Sequence, residues 1–439
     1  MKHKIKTITI CLVSFLALGI QVLVAQETRS ISLQEAINLS ITNSHLLKNR
    51  QAAIEEATLA VKEANEHKLP DFSVSGSYLY LPVKPNINLK SDSAGGGGGP
   101  KVSQALYGMA TASLPIYAGG KLKYAIASAK YLEEAAKLDA GQNKEAVILN
   151  TIDAFSNLYK AKAAVALVKE NLEQSNQRVK DFSNLEKNGL LARNDLLKVE
   201  LQSSNIELAL LDAESNWKLS SVNMALMLGL PEQTILIPDS ASLQSVNTLK
   251  TLDEYEQSAL VERKEIGSLS LQKKVAELGI KSIKADYYPS LALTAGYVAI
   301  DVPNFLTVTN AINVGIGVKY NLSSLWKTKT KIAQAESRVK QVSANQDMLN
   351  DNIRLQVNKA YQAYLLSRKK IEVYQKALVQ SEENYRITKN KYDNTLATTT
   401  DLLDADIAQL QSKLNITNAN ADAVVAYNKL LQTAGILYQ

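Results

Sequence analysis

The chain has 439 residues, only 6% of them aromatic, and carries a formal charge of +6 with three histidines and one cysteine. A charge so near balance over this length leaves no basic footprint for nucleic acid, and a lone cysteine excludes an internal disulfide framework. Ala, Leu, Asn, Gln, Ser and Lys dominate the middle of the chain, which suits long helices better than a compact mixed core.

Residues 1–25 read as an export signal. Lys2, Lys4 and Lys6 form a basic start, Ile8 to Ile20 a short apolar run, and Leu23-Val24-Ala25 offers a cut before Gln26. The apolar run is shorter than the ~20 residues a spanning helix needs. Cleavage there removes three lysines and no acids, taking +6 to +3, and removes Cys11, the single cysteine. No other stretch approaches about 18 consecutive apolar residues, so a bilayer crossing would have to use strands.

In chain order, a helix is predicted from Leu33 to Lys68, with Ser32 as N-cap and Glu35 completing a capping box. Pro70 ends it. In Asp71 to Tyr80 the apolar Phe72, Val74, Tyr78 and Tyr80 share one parity and Ser73, Ser75 and Ser77 the other, the alternation of a strand. Gly95 to Gly99 has no phosphate-loop lysine pattern and reads as a loop tip. Leu106 to Leu114 is a weaker strand, rich in small residues. Lys121 to Lys187 is one continuous helix whose only internal breaker is Gly141; at 1.5 Å per residue it is on the order of 100 Å long. A turn and a return helix follow, then an irregular connection from Pro231 to Lys250.

The same series then recurs. A helix from Leu252 to Tyr288 stops at Pro289, and Leu291, Leu293 and Tyr297 mark a strand. In Ala311 to Asn321, Ile312, Val314, Ile316 and Val318 alternate with Asn313, Gly315, Gly317 and Lys319, and a second long helix runs from about Lys327 to Lys391. Leu33 aligns with Leu252, Pro70 with Pro289, Tyr78 with Tyr297, Ala154 with Ala360, Asp195 with Asp401 and Gly229 with Gly435. The extra length of the first copy falls between Tyr78 and Leu114, where the glycine run lies. The expected organisation is a signal peptide (1–25), a first repeat (26–229, strand pair 70–116), a linker (230–250) and a second repeat (251–439, strand pair 289–322). The strands match the ~9–11 tilted residues that cross a bilayer, although two soluble hairpins would show the same alternation.

The long helices carry heptads. Thr151, Ala154, Leu158, Ala161, Val165, Val168, Leu172, Ser175 and Val179 keep steps of three and four, as do Val357, Ala360, Tyr364, Ser367, Ile371, Tyr374, Leu378, Ser381 and Tyr385. This is a coiled-coil seam rather than the drifting stripe of a lone surface helix.

At the end of each long helix lies a short turn: Asn188-Gly189-Leu190-Leu191-Ala192-Arg193-Asn194-Asp195 in the first copy, and Tyr392-Asp393-Asn394-Thr395-Leu396-Ala397-Thr398-Thr399-Thr400-Asp401-Leu402-Leu403-Asp404-Ala405 in the second. With the duplication and the strand entries at Pro70 and Pro289, these turns resemble the TolC-like family of outer-membrane efflux proteins, over nearly the whole chain after residue 25. The resemblance implies a mainly α fold with membrane β: a homotrimer with a shared 12-stranded barrel in outer-membrane lipid, continued by a helical coiled-coil barrel through the periplasm of a Gram-negative bacterium. It implies a passive exit duct joined to a periplasmic adaptor protein and an inner-membrane transporter of RND or ABC type. No enzymatic activity, cofactor or nucleic-acid partner is expected.

By the same resemblance, Asp401 and Asp404 narrow the periplasmic end, while Tyr392 and Asp195 help to hold the helices shut. Ala397 stands where the family's best-known member has a basic tether, with Arg193 the candidate replacement from the neighbouring turn. Thr395 stands at a family glycine that the first copy keeps as Gly189. Adaptor docking is expected at Gly189, Leu190, Thr395 and Leu396. The residues alone also allow a plainer account of Asp401, as a helix-starting acid in a capping box with Thr398. A periplasmic coiled-coil scaffold outside the membrane remains the competing function. His45 and His67 lack metal spacing, and no Ser-His-Asp or nucleotide motif is present.

Overall fold

The computed structural model describes residues 28–83, 102–239, 249–303 and 305–437. The expected signal segment, the Gly95–Gly99 run and linker residues 240–248 lie outside the described residues. The elements are β1 (Thr28–Ile31), α1 (Leu33–Asn43), α2 (His45–Glu66), β2 (Asp71–Tyr80), β3 (Gln104–Ala118), α3 (Lys121–Lys187) and α4 (Arg193–Leu228). They continue with β4 (Ile235–Pro238), α5 (Leu252–Glu262), α6 (Lys264–Lys284), β5 (Ser290–Val302), β6 (Leu306–Lys319), α7 (Ser324–Asp393) and α8 (Thr399–Thr433). Two compact units result, with the divisions inside α3 at 143/144 and inside α7 at 353/354.

One unit, residues 46–143 and 263–353, holds an antiparallel sheet in the order β2-β3-β5-β6. Its register shows what the alternation achieves. Phe72 pairs with Ala112 and Val74 with Ala110; Ala110 pairs with Tyr297, and Tyr297 with Ile312. Directly opposed residues share a face, so the apolar parity of every strand lands on the same side. Ser73, Thr111, Gly296 and Asn313 line up on the other side, where the Ser73 and Thr111 hydroxyls lie 2.7 Å apart.

The apolar face is open to the surroundings: Val74 is 86% exposed, Phe72 75% and Ile312 74%. Strands of 10, 15, 13 and 14 residues are long for a globular sheet. Two bulges bend it. At one the extra residue is Ile116, next to Pro115 and past the end of β2 at Asp71. At the other, Val298 to Ile300 faces Val308 to Ala311, and the extra residue, Asn310, takes a left-handed φ of 60°.

The second unit, residues 28–45, 144–262 and 354–437 of those described, is helical apart from β1 and β4. Every heptad residue named above is buried or half-buried; Thr151, Leu158, Ser175 and Val357 are wholly so. Small residues on the seam let helices approach closely. The main core joins Ile31, Phe155, Leu158, Met224, Leu228 and Leu236, with Trp217 against it.

Two expectations need correction. The opening helices are not single. Ser44 leaves helical geometry (φ −56°, ψ 118°) and divides α1 from α2, and Arg263 does the same (φ −69°, ψ 122°) between α5 and α6. Nor is the connection after Pro231 wholly irregular, since β4 pairs in parallel with β1, Ile31 opposite Pro238. Leu236 is fully buried; its N–H donates to Ser221 Oγ (2.8 Å) and its carbonyl accepts from Trp217 Nε1 (3.3 Å). Trp217 thus seats the linker strand, with Lys162 Nζ 3.8 Å from the ring centre.

Candidate functional site: the helical tip and the ion pair behind it

The two turns share one backbone solution. After α3, Gly189 adopts φ +70°, its N–H donates to Glu186 O and Leu190 N–H donates to Leu185 O, both at 2.9 Å. After α7, Thr395 adopts φ +59°, with Thr395 N–H to Tyr392 O at 2.9 Å and Leu396 N–H to Lys391 O at 2.7 Å. A left-handed residue closing a helix in this way favours glycine; a β-branched residue there carries strain of about 1–2 kcal/mol. The next residue is an exposed leucine in each turn, Leu190 at 74% and Leu396 at 77%.

Tyr392, at the end of α7, stacks on Phe182 of α3, with centroids 5.5 Å apart and planes 5° apart. Leu196, Val199 and Leu403 complete this core, so residues of α3, α4, α7 and α8 all meet at Tyr392. Burial pushes the Tyr392 hydroxyl up from its ordinary pKa; a hydrogen bond with Thr399 opposes this, and the nearby Asp195 charge adds to it. Asp195 sits in the first turn of α4 and pairs with Lys198 at 3.2 Å. Arg193 stays in its own turn, 3.9 Å from Glu186.

Asp401 closes a capping box. Its Oδ2 accepts from Thr398 N–H (2.8 Å) and Thr398 Oγ1 (2.7 Å), while its own N–H donates to Thr398 Oγ1 (3.2 Å). Those bonds hold its carboxyl below the usual carboxylate range. With a depressed folded-state pKa, this capping contribution is complete above the unfolded carboxylate pKa and fades as pH falls through the folded one. Asp404 lies one turn on and is exposed. Tyr392 and Asp195 are therefore brought close together, whereas Asp401 is engaged in its own cap.

Sequence reasoning missed a buried ion pair in this unit. Arg178 of α3 is 9% exposed and Asp406 of α8 only 1%, with Nη1 to Oδ2 at 3.0 Å. Asn171 donates to the other oxygen, Oδ1, at 3.3 Å, and Arg178 Nη2 donates to Tyr385 Oη of α7 at 3.3 Å. Burial alone would lower the Arg178 pKa, but the Asp406 hydrogen bond and charge raise it instead. A signal was present: Asp406 follows Leu402 and Leu403 at helical spacing, which places an acid on a buried stripe, and such an acid requires a cation on a partner helix.

An apolar-faced strand quartet joined to long helical hairpins is the architecture of outer-membrane channel subunits. The family model for outer membrane efflux proteins matches residues 36–230 and 256–436, and the chain belongs to this family. It is 20% identical to the outer membrane efflux protein BepC of Brucella suis biovar 1 (strain 1330) over 323 residues, 73% of this chain and 70% of the relative. Two crystal structures share the fold: VceC of Vibrio cholerae (TM-score 0.73, 18% identity, 92% and 96% of the two chains) and the CmeC channel of Campylobacter jejuni (0.73, 18%, 93% and 86%).

Proposed function

We propose that three copies of this chain close their four-stranded sheets into a 12-stranded barrel in the outer membrane. Their helices, in two repeats per chain, continue as a periplasmic tunnel. The single observation that carries this reading is the two-faced sheet. A continuous apolar side suits lipid, a Ser- and Thr-bearing side suits a water-filled lumen, and β2 and β6 are open edges. Open edges are untenable in hydrocarbon, and closure with other copies satisfies them. A soluble scaffold would leave residues such as Val74 and Ile312 in water, which weighs against the competing function.

The duct is passive and serves a tripartite efflux or type I secretion system. A periplasmic adaptor docks on the turns at Gly189, Leu190, Thr395 and Leu396, where the exposed leucines offer an apolar foothold, and an inner-membrane RND or ABC transporter supplies the energy. Asp401 and Asp404, with Tyr392, Asp195 and Arg193 behind them, form the periplasmic gate. Three copies bring six carboxylates to one opening, which favours cations in the mouth.

The test is Asp401→Ala combined with Asp404→Ala in single-channel recordings. Cation preference should fall severalfold, measured as a shift in reversal potential across a salt gradient. Unchanged selectivity would remove both residues from the gate. Because Asp401→Ala also removes the carboxylate half of the capping box with Thr398, Asp404→Asn alone serves as the control that leaves the box intact.

A further inference from the structure

The end of the sheet that joins the helices is unusually basic. The register pins this end at one level: Ala118 of β3 pairs with Ser290 of β5, and Ser290 with Lys319 of β6. Immediately beyond it, α3 opens with Lys121 and Lys123, α6 closes with Lys281 and Lys284, and α7 opens with Lys327, Lys329 and Lys331. All seven are exposed. Residues 119–128 and 319–331 contain no acid, and residues 281–290 contain Asp286 alone. Asp286 is shared between Lys121 and Lys331, the latter at 3.9 Å. Counted with the α2–β2 junction, where Lys62 and Lys68 stand with Glu63, Glu66 and Asp71, nine lysines face four acids, a net positive excess concentrated on α3, α6 and α7.

Large apolar side chains stand at the same level. Trp326 is 64% exposed, Leu322 64%, Leu325 55% and Tyr288 59%. An exposed tryptophan beside lysines is the composition of a headgroup boundary, where the ring sits among lipid glycerols and the ammonium groups reach the phosphates. The bulk of the chain explains neither the tryptophan nor the charge, because both lie outside the core that the helices share.

We propose that this lysine belt binds anionic phospholipid headgroups of the membrane leaflet facing the helices, and so fixes the depth of the sheet in the bilayer. The proposal rests on the reading that the sheet spans a membrane. Lysine near an anionic surface contributes roughly a fivefold preference per residue, so a few engaged lysines suffice to select lipid.

The experiment reconstitutes the full-length processed protein into vesicles of phosphatidylcholine and phosphatidylglycerol in equal parts, re-extracts it in mild detergent and weighs retained lipid by native mass spectrometry. The unsubstituted protein should retain phosphatidylglycerol about fivefold or more over phosphatidylcholine. The combined Lys281→Gln, Lys284→Gln, Lys327→Gln and Lys329→Gln variant should retain the two equally, and arginine at the same four positions should restore the preference. Insertion without enrichment, or enrichment that survives the glutamine variant, overturns the lipid site and leaves the channel intact. Recovery of the unsubstituted protein in the aqueous wash overturns the membrane reading and the lipid site with it.

Discussion

Asp406→Ala should destabilise the helical unit by about 3–5 kcal/mol, the cost of stranding a buried guanidinium. Arg178 and Asp406 are 9% and 1% exposed, and the aspartate also takes the Asn171 amide. Removing the carboxylate leaves Arg178 with the Tyr385 hydroxyl in a site that water scarcely reaches. The surface pairs on α7 provide the contrast. Lys369–Glu372 and Arg386–Glu383 are more than half exposed on both partners, and solvent screens such pairs so that they add little to stability. Replacing both buried charges together, as Arg178→Met with Asp406→Leu, should recover most of the loss, because the desolvation cost disappears with the charges. Urea unfolding followed by far-UV circular dichroism measures all three proteins. An Asp406→Ala protein within about 0.5 kcal/mol of the parent, the scatter expected of neutral surface changes, would show that the pair is not buried in solution.

Phe182→Ala should cost a comparable amount, about 3–5 kcal/mol for a fully buried ring. Phe182 is 4% exposed and lies parallel to Tyr392, so its loss empties the cluster in which residues of four helices meet. The functional result should be a looser tip, seen as higher single-channel conductance, and Tyr392→Ala should give the same result from the other ring. Tyr392→Phe separates stacking from hydrogen bonding: it keeps the ring and loses only the Thr399 bond, about 1 kcal/mol. If Phe182→Ala and Tyr392→Ala both conduct as the parent does, the aromatic pair is a packing feature and not a latch.

Much of this architecture is readable in the residues because its signals are local and repeated. The long helix expected over Lys121–Lys187 is found with those bounds, and the second, expected over Lys327–Lys391, is Ser324–Asp393. Strand parity grouped Phe72 with Val74 and Ile312 with Val314, and the register puts both groups on one face. Thr395 stands at a glycine position of the resembled family, and the structure gives the physical reason, a left-handed φ of 59°. What escaped depends on distant partners. Ser44 and Arg263 break helices without being proline or glycine, so no breaker signal marks them. The four-residue strands β1 and β4 are too short to show a period, and their pairing joins Thr28 to Ile235 across most of the first repeat. Arg178 and Asp406 lie more than 200 positions apart; Asp406 sits on an apolar stripe, but nothing local names Arg178 as its partner. The roles given to Asp401, Asp404 and Arg193 came from resemblance. The structure bears out the capping box that the spacing of Thr398 and Asp401 also indicated, and it adds that Arg193 meets Glu186.

The central claim is that this chain forms a conducting path through a membrane, and a planar bilayer tests it most directly. Protein extracted with detergent from the outer-membrane fraction and added to one chamber should insert as trimers. Those trimers should produce discrete, cation-preferring conductance steps that grow when Tyr392 is replaced by alanine. A protein recovered in the soluble periplasmic fraction, and silent in the bilayer at any applied potential, would contradict the account.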